Sequence, residues 1–275
     1  MVYDYQYGVE VVYDYQYGVE VVYDCQEAAP SGHPALPARY AAGDSGVDHL
    51  AALPSNTKGV VPRLVNGRPI KSTNHYSKKR QAALELQAAL GPEGTTARVE
   101  RFTAKRTRRI TPSLQTASKA ISALLVAEGL GTLVVGKNPG WKQEAEGGRV
   151  NNQHCVGLPP ARVISLVEDK AKRAGICLVL HEESSTSTAS FLDGDALPTY
   201  DPKQEGTQVF SGTRVKRGLY RARDGRTLTA DVNGSDNILR KALPDAFGKG
   251  IAAVVVWPVW LTLAWSVQPC ALAAA

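Results

Sequence analysis

Cysteine is scarce in this chain and scattered. Cys25, Cys155, Cys177 and Cys270 are the four it has, and no two stand at the two-residue spacing of a metal knuckle. That spacing excludes a zinc knuckle and a dense disulfide framework, and it fits a reducing compartment. The amino terminus has no basic stretch leading into an apolar run and a small-residue cleavage site, so no secretory signal peptide is expected and the protein reads as cytoplasmic. Positive charge, in contrast, is plentiful. Lysine and arginine number 32 against 26 acids, giving a net charge of +6 and a pI near 9.1. The basic residues are clustered, which points to a polyanion partner, nucleic acid first of all. The 275 residues, 43% of them hydrophobic, suffice for one large domain or two small ones with a real core.

The chain begins with a tandem repeat of about ten residues between Val2 and Tyr23. Its even period puts Tyr3, Tyr5, Tyr7, Val9 and their repeats on one face of an extended strand. Such a row could stack bases, but an identical repeat reads more simply as a duplicated segment whose strand has nothing to pair with. Residues 27–37 have linker composition. From Arg39 onward the patterning changes to strand, tight turn and strand over residues 40–53, then a third strand over residues 59–65. A helix is expected from Ser72 to Leu90, with Ser72 as a possible cap, and a longer one from about Thr96 to Glu128. Pro112 lies inside the latter, where it should break or kink the helix at a cost of about 3 kcal/mol.

Along that second helix Arg98, Arg101, Lys105 and Arg108 recur at three- and four-residue steps, joined by Arg106 and Arg109, with almost no compensating acid. A charge run is ordinarily a solvated face, but this stripe matches phosphates along a backbone. A short apolar strand follows at residues 130–135, a helix from Pro160 to Ala174, and a second buried strand from Ile176 to Leu180. Strand, helix, strand with apolar strands implies a parallel α/β unit, whose functional groups gather at strand carboxyl ends. Glu182 and Glu183 stand at such an end and face opposite ways, so one of them points into a site. Residues 184–229 read as an irregular insertion with a second basic patch including Arg214, Lys216 and Arg217. Residues 251–275 carry no charge, yet Pro258 and Pro269 make them a poor membrane helix, and no membrane partner is expected.

A helix should start near Asp231, where Ile238, Leu239 and Ala242 supply an apolar stripe. Taken alone, Asp231 reads as a helix cap and Asp44 as a turn aspartate.

Seven ordered blocks change that reading. They are Gly43-Asp44-Ser45-Gly46-Val47, Val60 to Pro69, Gly136-Lys137-Asn138-Pro139-Gly140-Trp141, Val150 to Gln153, Glu182 to Ser187, Ser190 to Asp193, and Ala230-Asp231-Val232-Asn233-Gly234-Ser235. Together they resemble the carboxyl-terminal half of TnpB, the OrfB-type insertion-sequence protein, over roughly residues 39–260. The resemblance implies an α/β, ribonuclease-H-like (RuvC) mixed sheet flanked by helices, with a long basic helical insertion. It implies a transposon-encoded, metal-dependent DNA endonuclease, RNA-guided in intact relatives, in which three carboxylates hold magnesium or manganese and assist phosphodiester hydrolysis. Asp44 matches the first carboxylate and Asp231 the third. Most relatives carry the second as a glutamate on the strand where this chain has Gly136-Lys137. In the G-K-N-P-x-W subgroup it would come from the following strand, as Glu183, with Glu182 the lesser choice.

The chain also departs from the pattern. Thr188-Ala189-Ser190 cannot replace the four-cysteine zinc ribbon of many relatives, so no zinc is expected. Ser45, Ser185 and Asp236 are unusual, and a Tyr-rich repeat stands where relatives have a large recognition lobe. The expected division is residues 1–38 (repeat and linker), 39–183 (core with helical insertion), 184–228 (basic insertion), 229–250 (end of the core) and 251–275 (apolar tail). DNA is the expected partner, with guide RNA as a second, in a cytoplasmic, nucleoid-associated protein. The isolated chain is expected to be impaired as a nuclease, and its rival reading is a non-catalytic nucleic-acid-binding remnant.

Overall fold

The computed structural model describes residues 7–8, 22–23, 39–46, 48–89, 97–137, 160–199, 208–248 and 257–263. Two units are distinguished, residues 1–33 and 34–275. In the first, β1 (Tyr7–Gly8) and β2 (Val22–Tyr23) pair antiparallel, with Tyr7 opposite Tyr23 and Gly8 opposite Val22. The repeat therefore supplies its own partner, contrary to the expectation that its strand has none. The linker, the segment after Lys137 and most of the apolar tail lie outside the described residues.

The larger unit is mixed α/β. Its strands are β3 (Tyr40–Gly43), β4 (His49–Leu53), β5 (Arg63–Asn66), β6 (Thr132–Gly136), β7 (Cys177–His181) and, from the tail, β11 (Val259–Leu261). Strands β3, β6 and β7 are parallel, β4 runs antiparallel to β5, and β11 runs parallel to β5. Backbone bonds between Asp44 and Ala52, in both directions at 3.3 and 3.0 Å, join β3 to β4 and link the two halves in the order β11-β5-β4-β3-β6-β7.

Side-chain alternation assigns the faces. Ala41, Leu53, Leu133 and Val135 pack on one side against α1 (Arg68–Ala89), α2 (Ala97–Ala127) and α3 (Pro160–Arg173), through residues such as Ile70, Leu114, Ile121 and Val167. Ala42 and Val134, and with them Ala52 and Leu64, face the other way and bury Val232, Ile238 and Leu239 of α4 (Ala230–Ala242).

Four local expectations are corrected. Helix α1 begins at Arg68, not Ser72, because Asn66 Oδ1 accepts the Arg68 amide at 3.1 Å; Pro69 then falls in the first turn, where a missing N–H costs nothing. Pro112 does not interrupt α2. The stripe on both sides of it, Val99 and then Ile110, Leu114, Ala117, Ile121 and Leu125, is buried and holds the helix together across the lost bond. Strand β7 is a sheet edge with Val179 and Leu180 38% and 43% exposed, so it is not the buried strand its composition suggests. Residues 184–229 are not irregular throughout, since β8 (Thr213–Lys216), β9 (Leu219–Arg221) and β10 (Thr227–Thr229) form an antiparallel sheet leading directly into α4. Among the described residues no helix is long and apolar enough to cross a membrane.

Asp236, inside α4, is fully buried, and neither carboxyl oxygen has a hydrogen-bond partner. Burial holds its proton affinity well above the usual carboxylate range, so the neutral form occupies the core. An unsatisfied buried acceptor costs roughly 1–3 kcal/mol. Replacing it by Asp236→Ala is therefore expected to stabilise the protein, measured as a rise in the urea midpoint at neutral pH.

Candidate functional site

Three of the sequence-predicted residues stand at ends of elements that the sheet brings together. Asp44 follows β3 and lies on the same face as Ala42, towards α4. Asp231 is in the first turn of α4, next to the helix start but not its cap; Thr229 holds the cap position, with no side-chain cap bond. A carboxylate there is favoured by the helix dipole. Glu183 lies just past the end of β7, with its carboxylate against Gly136 at the end of β6.

The two glutamates have different surroundings. A Cβ built on Gly136 would lie 2.3 Å from Glu183 Oε2 and 2.6 Å from Ile238 Cδ1, so the space beside the β6 terminus is already filled by the Glu183 side chain. Glu182 points elsewhere. Its Oε2 contacts Lys241 Nζ and its Oε1 accepts the Ser184 amide at 2.7 Å. Burial opposes ionisation of Glu182, but the bonds from Lys241 and Ser184 outweigh it and hold the carboxyl below its usual range.

Asp44 and Glu183 show the opposite balance. Desolvation first, then the charges of Glu183 and Asp231, pushes Asp44 up to about 7, with only Arg214 acting against them. Glu183 is raised by burial and by Glu182. Asp44 thus feels the charges of both other carboxylates, although among the described residues no three His, Cys, Asp or Glu side chains stand close enough to hold one metal ion.

Polar residues of α4 fix this arrangement. Asn233 Oδ1 accepts the Phe191 amide at 3.0 Å and its Nδ2 donates to the Ala189 carbonyl at 2.8 Å. Asn237 Nδ2 donates to the carbonyls of Thr186 and Ala189 at 2.9 and 2.8 Å, and Ser235 Oγ donates to the Ala52 carbonyl at 2.9 Å. All three are buried. The two asparagines clamp the segment that leaves Glu183, where Ser185 adopts a positive φ of 66°, and Ser235 ties the helix to β4. At Gly234 a Cβ would stand 3.2 Å from Asp44 Oδ2, so glycine lets the helix approach the first carboxylate.

Sequence reasoning missed His49. It is buried at the start of β4, and its Nδ1 contacts Asp231 Oδ2 across 182 positions of sequence. Only its setting in a strand of otherwise apolar residues, His49-Leu50-Ala51-Ala52-Leu53, hinted at it.

The basic residues divide into groups. Arg98, Arg101, Lys105, Arg108 and Arg109 are exposed along α2, as the stripe requires. Arg106 is not part of that face, because its Nε donates to Asn74 Oδ1 of α1 at 3.0 Å. Arg214 and Arg217 belong to the carboxylate site: Arg214 Nη2 lies 3.9 Å from Asp231 Oδ1, and Arg217 Nη2 lies 2.5 Å from Asp48 Oδ2. Lys216 is exposed on β8. After Thr188-Ala189-Ser190, Asp195 Oδ2 accepts the amides of Ser190 and Ser211 at 2.8 and 2.9 Å, while Asp193 Oδ2 accepts Ser190 Oγ and the Arg223 amide at 2.6 and 2.9 Å.

Residues 18–142 match the family model of the OrfB, IS605-type probable transposases. The fold is similar to that in the structure of a Cas12f1–sgRNA–target DNA complex, with 16% identity and a TM-score of 0.51 over 74% of this chain and 38% of that one. A CRISPR-Cas12f ternary complex gives 14% identity and a TM-score of 0.50 over 79% and 41%. Over residues 18–142 the chain is similar to the OrfB-type, TnpB-like proteins. It spans about two fifths of the length of the Cas12f chains it matches. No curated protein sequence matches this chain.

A carboxyl with a folded pKa above its unfolded value favours the protonated form in the fold. The contribution of Asp44 is therefore fully present below about pH 3.8 and is lost as pH rises through about 7. In EDTA, Asp44→Asn is expected to raise the melting temperature at pH 8 by about 5 °C, with the difference shrinking towards pH 4. Thermal melts across that range measure it.

Proposed function

We propose that this TnpB-like chain carries a RuvC-type, ribonuclease-H-like phosphodiesterase centre acting on DNA, with Asp44, Glu183 and Asp231 as its three carboxylates. The observation that carries the reading is the Glu183 carboxylate filling the space above Gly136, with its charge and that of Asp231 both acting on Asp44. The strand order β11-β5-β4-β3-β6-β7, with β4 alone running against the others, supports the ribonuclease-H-like assignment. The core would then comprise residues 39–183 and 229–250, with the β8–β10 module inserted between them and the repeat and tail outside it.

The donor set fits a divalent cation. Oxygen-only ligands suit magnesium or manganese, and Asp44, raised by burial and then by the charges of Glu183 and Asp231 with a single arginine opposing, gains from a bound cation. Since among the described residues no three such groups stand close enough to share one ion, Asp44, Glu183 and Asp231 would hold cations in pairs, and these would supply activation of water and stabilisation of the leaving oxygen. His49 orients Asp231 through Nδ1, and Arg214 beside the same carboxylate is placed to meet a scissile phosphate. Glu182 stays with Lys241 and anchors the loop. The exposed stripe from Arg98 to Arg109 would track the phosphate backbone of DNA, or of a guide RNA as in the Cas12f complexes, with affinity falling steeply in salt.

Cleavage of single- and double-stranded DNA with magnesium or manganese tests this reading. Asp44→Ala, Glu183→Ala and Asp231→Ala are each expected to reduce cleavage to background, whereas Glu182→Ala retains it. A chain that binds DNA in a salt-dependent manner, cuts nothing and is indifferent to all three substitutions is the non-catalytic remnant instead.

A further inference from the structure

The wall of the carboxylate site on the β4–β5–β11 side is built of cations and aromatic rings. Trp260 of β11 remains 45% exposed although its ring meets buried His49 edge-on, with centroids 4.8 Å apart at 69°. His49 in turn contacts Asp231. The Arg68 guanidinium lies 4.9 Å from the Trp260 centroid. Next to this pair, Lys71 Nζ and Arg217 Nη2 reach Asp48 at 2.7 and 2.5 Å, and Arg68 also acts on Asp48 electrostatically. Three cations thus share one carboxylate, and Arg214 stands beside Asp231. Trp257, three residues before Trp260, is 60% exposed.

An indole held in place at the rim of an acidic site, with surplus guanidinium groups around it, matches the chemistry of a nucleotide: the ring takes the base and the cations take the flanking phosphates. A plain polyanion site would need the cations and not the exposed indole. A duplex would keep its bases stacked on one another and present none to the ring.

We propose that Trp260, held by His49 and Arg68, is a base-stacking platform that receives one nucleotide of a single strand beside the Asp44, Glu183 and Asp231 carboxylates. The proposal deepens the nuclease reading and rests on it for why such a platform lies there. Binding to the platform itself requires neither metal nor cleavage.

The test is fluorescence titration of the full chain, in EDTA, with oligothymidylate and oligouridylate. Wild type is expected to show quenching of tryptophan emission, and Trp260→Ala to weaken binding about tenfold with most of the quench lost, while Trp260→Phe stays within about threefold of wild type. Heparin, which has charge and no bases, should bind wild type and Trp260→Ala alike. An effect on either oligonucleotide supports the platform and names its strand. A second measurement leaves the protein unaltered: abasic substitutions walked along the oligonucleotide should reveal one position whose base is needed. The platform is overturned if Trp260→Ala binds both oligonucleotides as well as wild type does, if Trp260→Phe falls as far as Trp260→Ala, if heparin binding falls in parallel, or if no abasic position matters. Because EDTA is present throughout, a chain that binds in this way and cuts nothing fails the nuclease reading alone. A chain that cuts but ignores the loss of Trp260 fails the platform alone.

Discussion

The arrangement of the site depends on a set of buried amide and hydroxyl bonds made by one helix. Asn233, Ser235 and Asn237 project from α4 into places without water, where each unmade bond would cost about 1–3 kcal/mol. Asn233 and Asn237 bond main chain of the loop after Glu183 and Ser235 bonds main chain of β4, while Asn237 Oδ1 is left without a partner. Backbone partners fix position more tightly than side-chain partners would. One helix therefore sets the distance between its own Asp231, the strand that leads to Glu183 and the sheet that ends in Asp44. The apolar contacts of Ile238 and Leu239 with Ala42 and Val134 hold α4 onto the sheet, while the polar bonds choose its register.

Much of this was legible in the sequence because the signals were local and repetitive. The strands at residues 40–53 and 132–136 and helices α2 and α3 fall within a residue or two of their patterned segments, since continuous apolar runs and long helical stripes carry their period within themselves. Alternation also anticipated that Glu182 and Glu183 would face different ways. The β8–β10 sheet was not legible. Its strands have three or four residues each, β8 is exposed along its length, and polar residues on short solvated strands leave no alternation to read. Helix α1 was misplaced at its start for a similar reason, because the capping group, Asn66, precedes Gly67 and Pro69, which look like a turn.

What could not be read was contact between distant segments. His49 lies 182 positions from Asp231 and more than 200 from Trp260, and nothing in the local composition of any of the three announces the others. The fold creates that trio by placing β4, β5 and β11 side by side. Arg106 shows the reverse effect: its spacing places it with the basic stripe, yet α1 packs close enough for Asn74 to draw it inward. Charge patterning identifies a face, and the neighbouring helix then removes members from it.

Gly136 has a consequence for how such a site can change over generations. Glu183, the second carboxylate of the proposed centre, reaches the end of β6 from the neighbouring strand end. While Glu183 occupies that space, any residue with a Cβ at position 136 collides with it, and once Glu183 is lost a glycine at 136 offers nothing in its place. A side chain at 136 and the present position of Glu183 are therefore mutually exclusive, so the two positions can change only as a pair: the glycine works as a lock on the glutamate beside it.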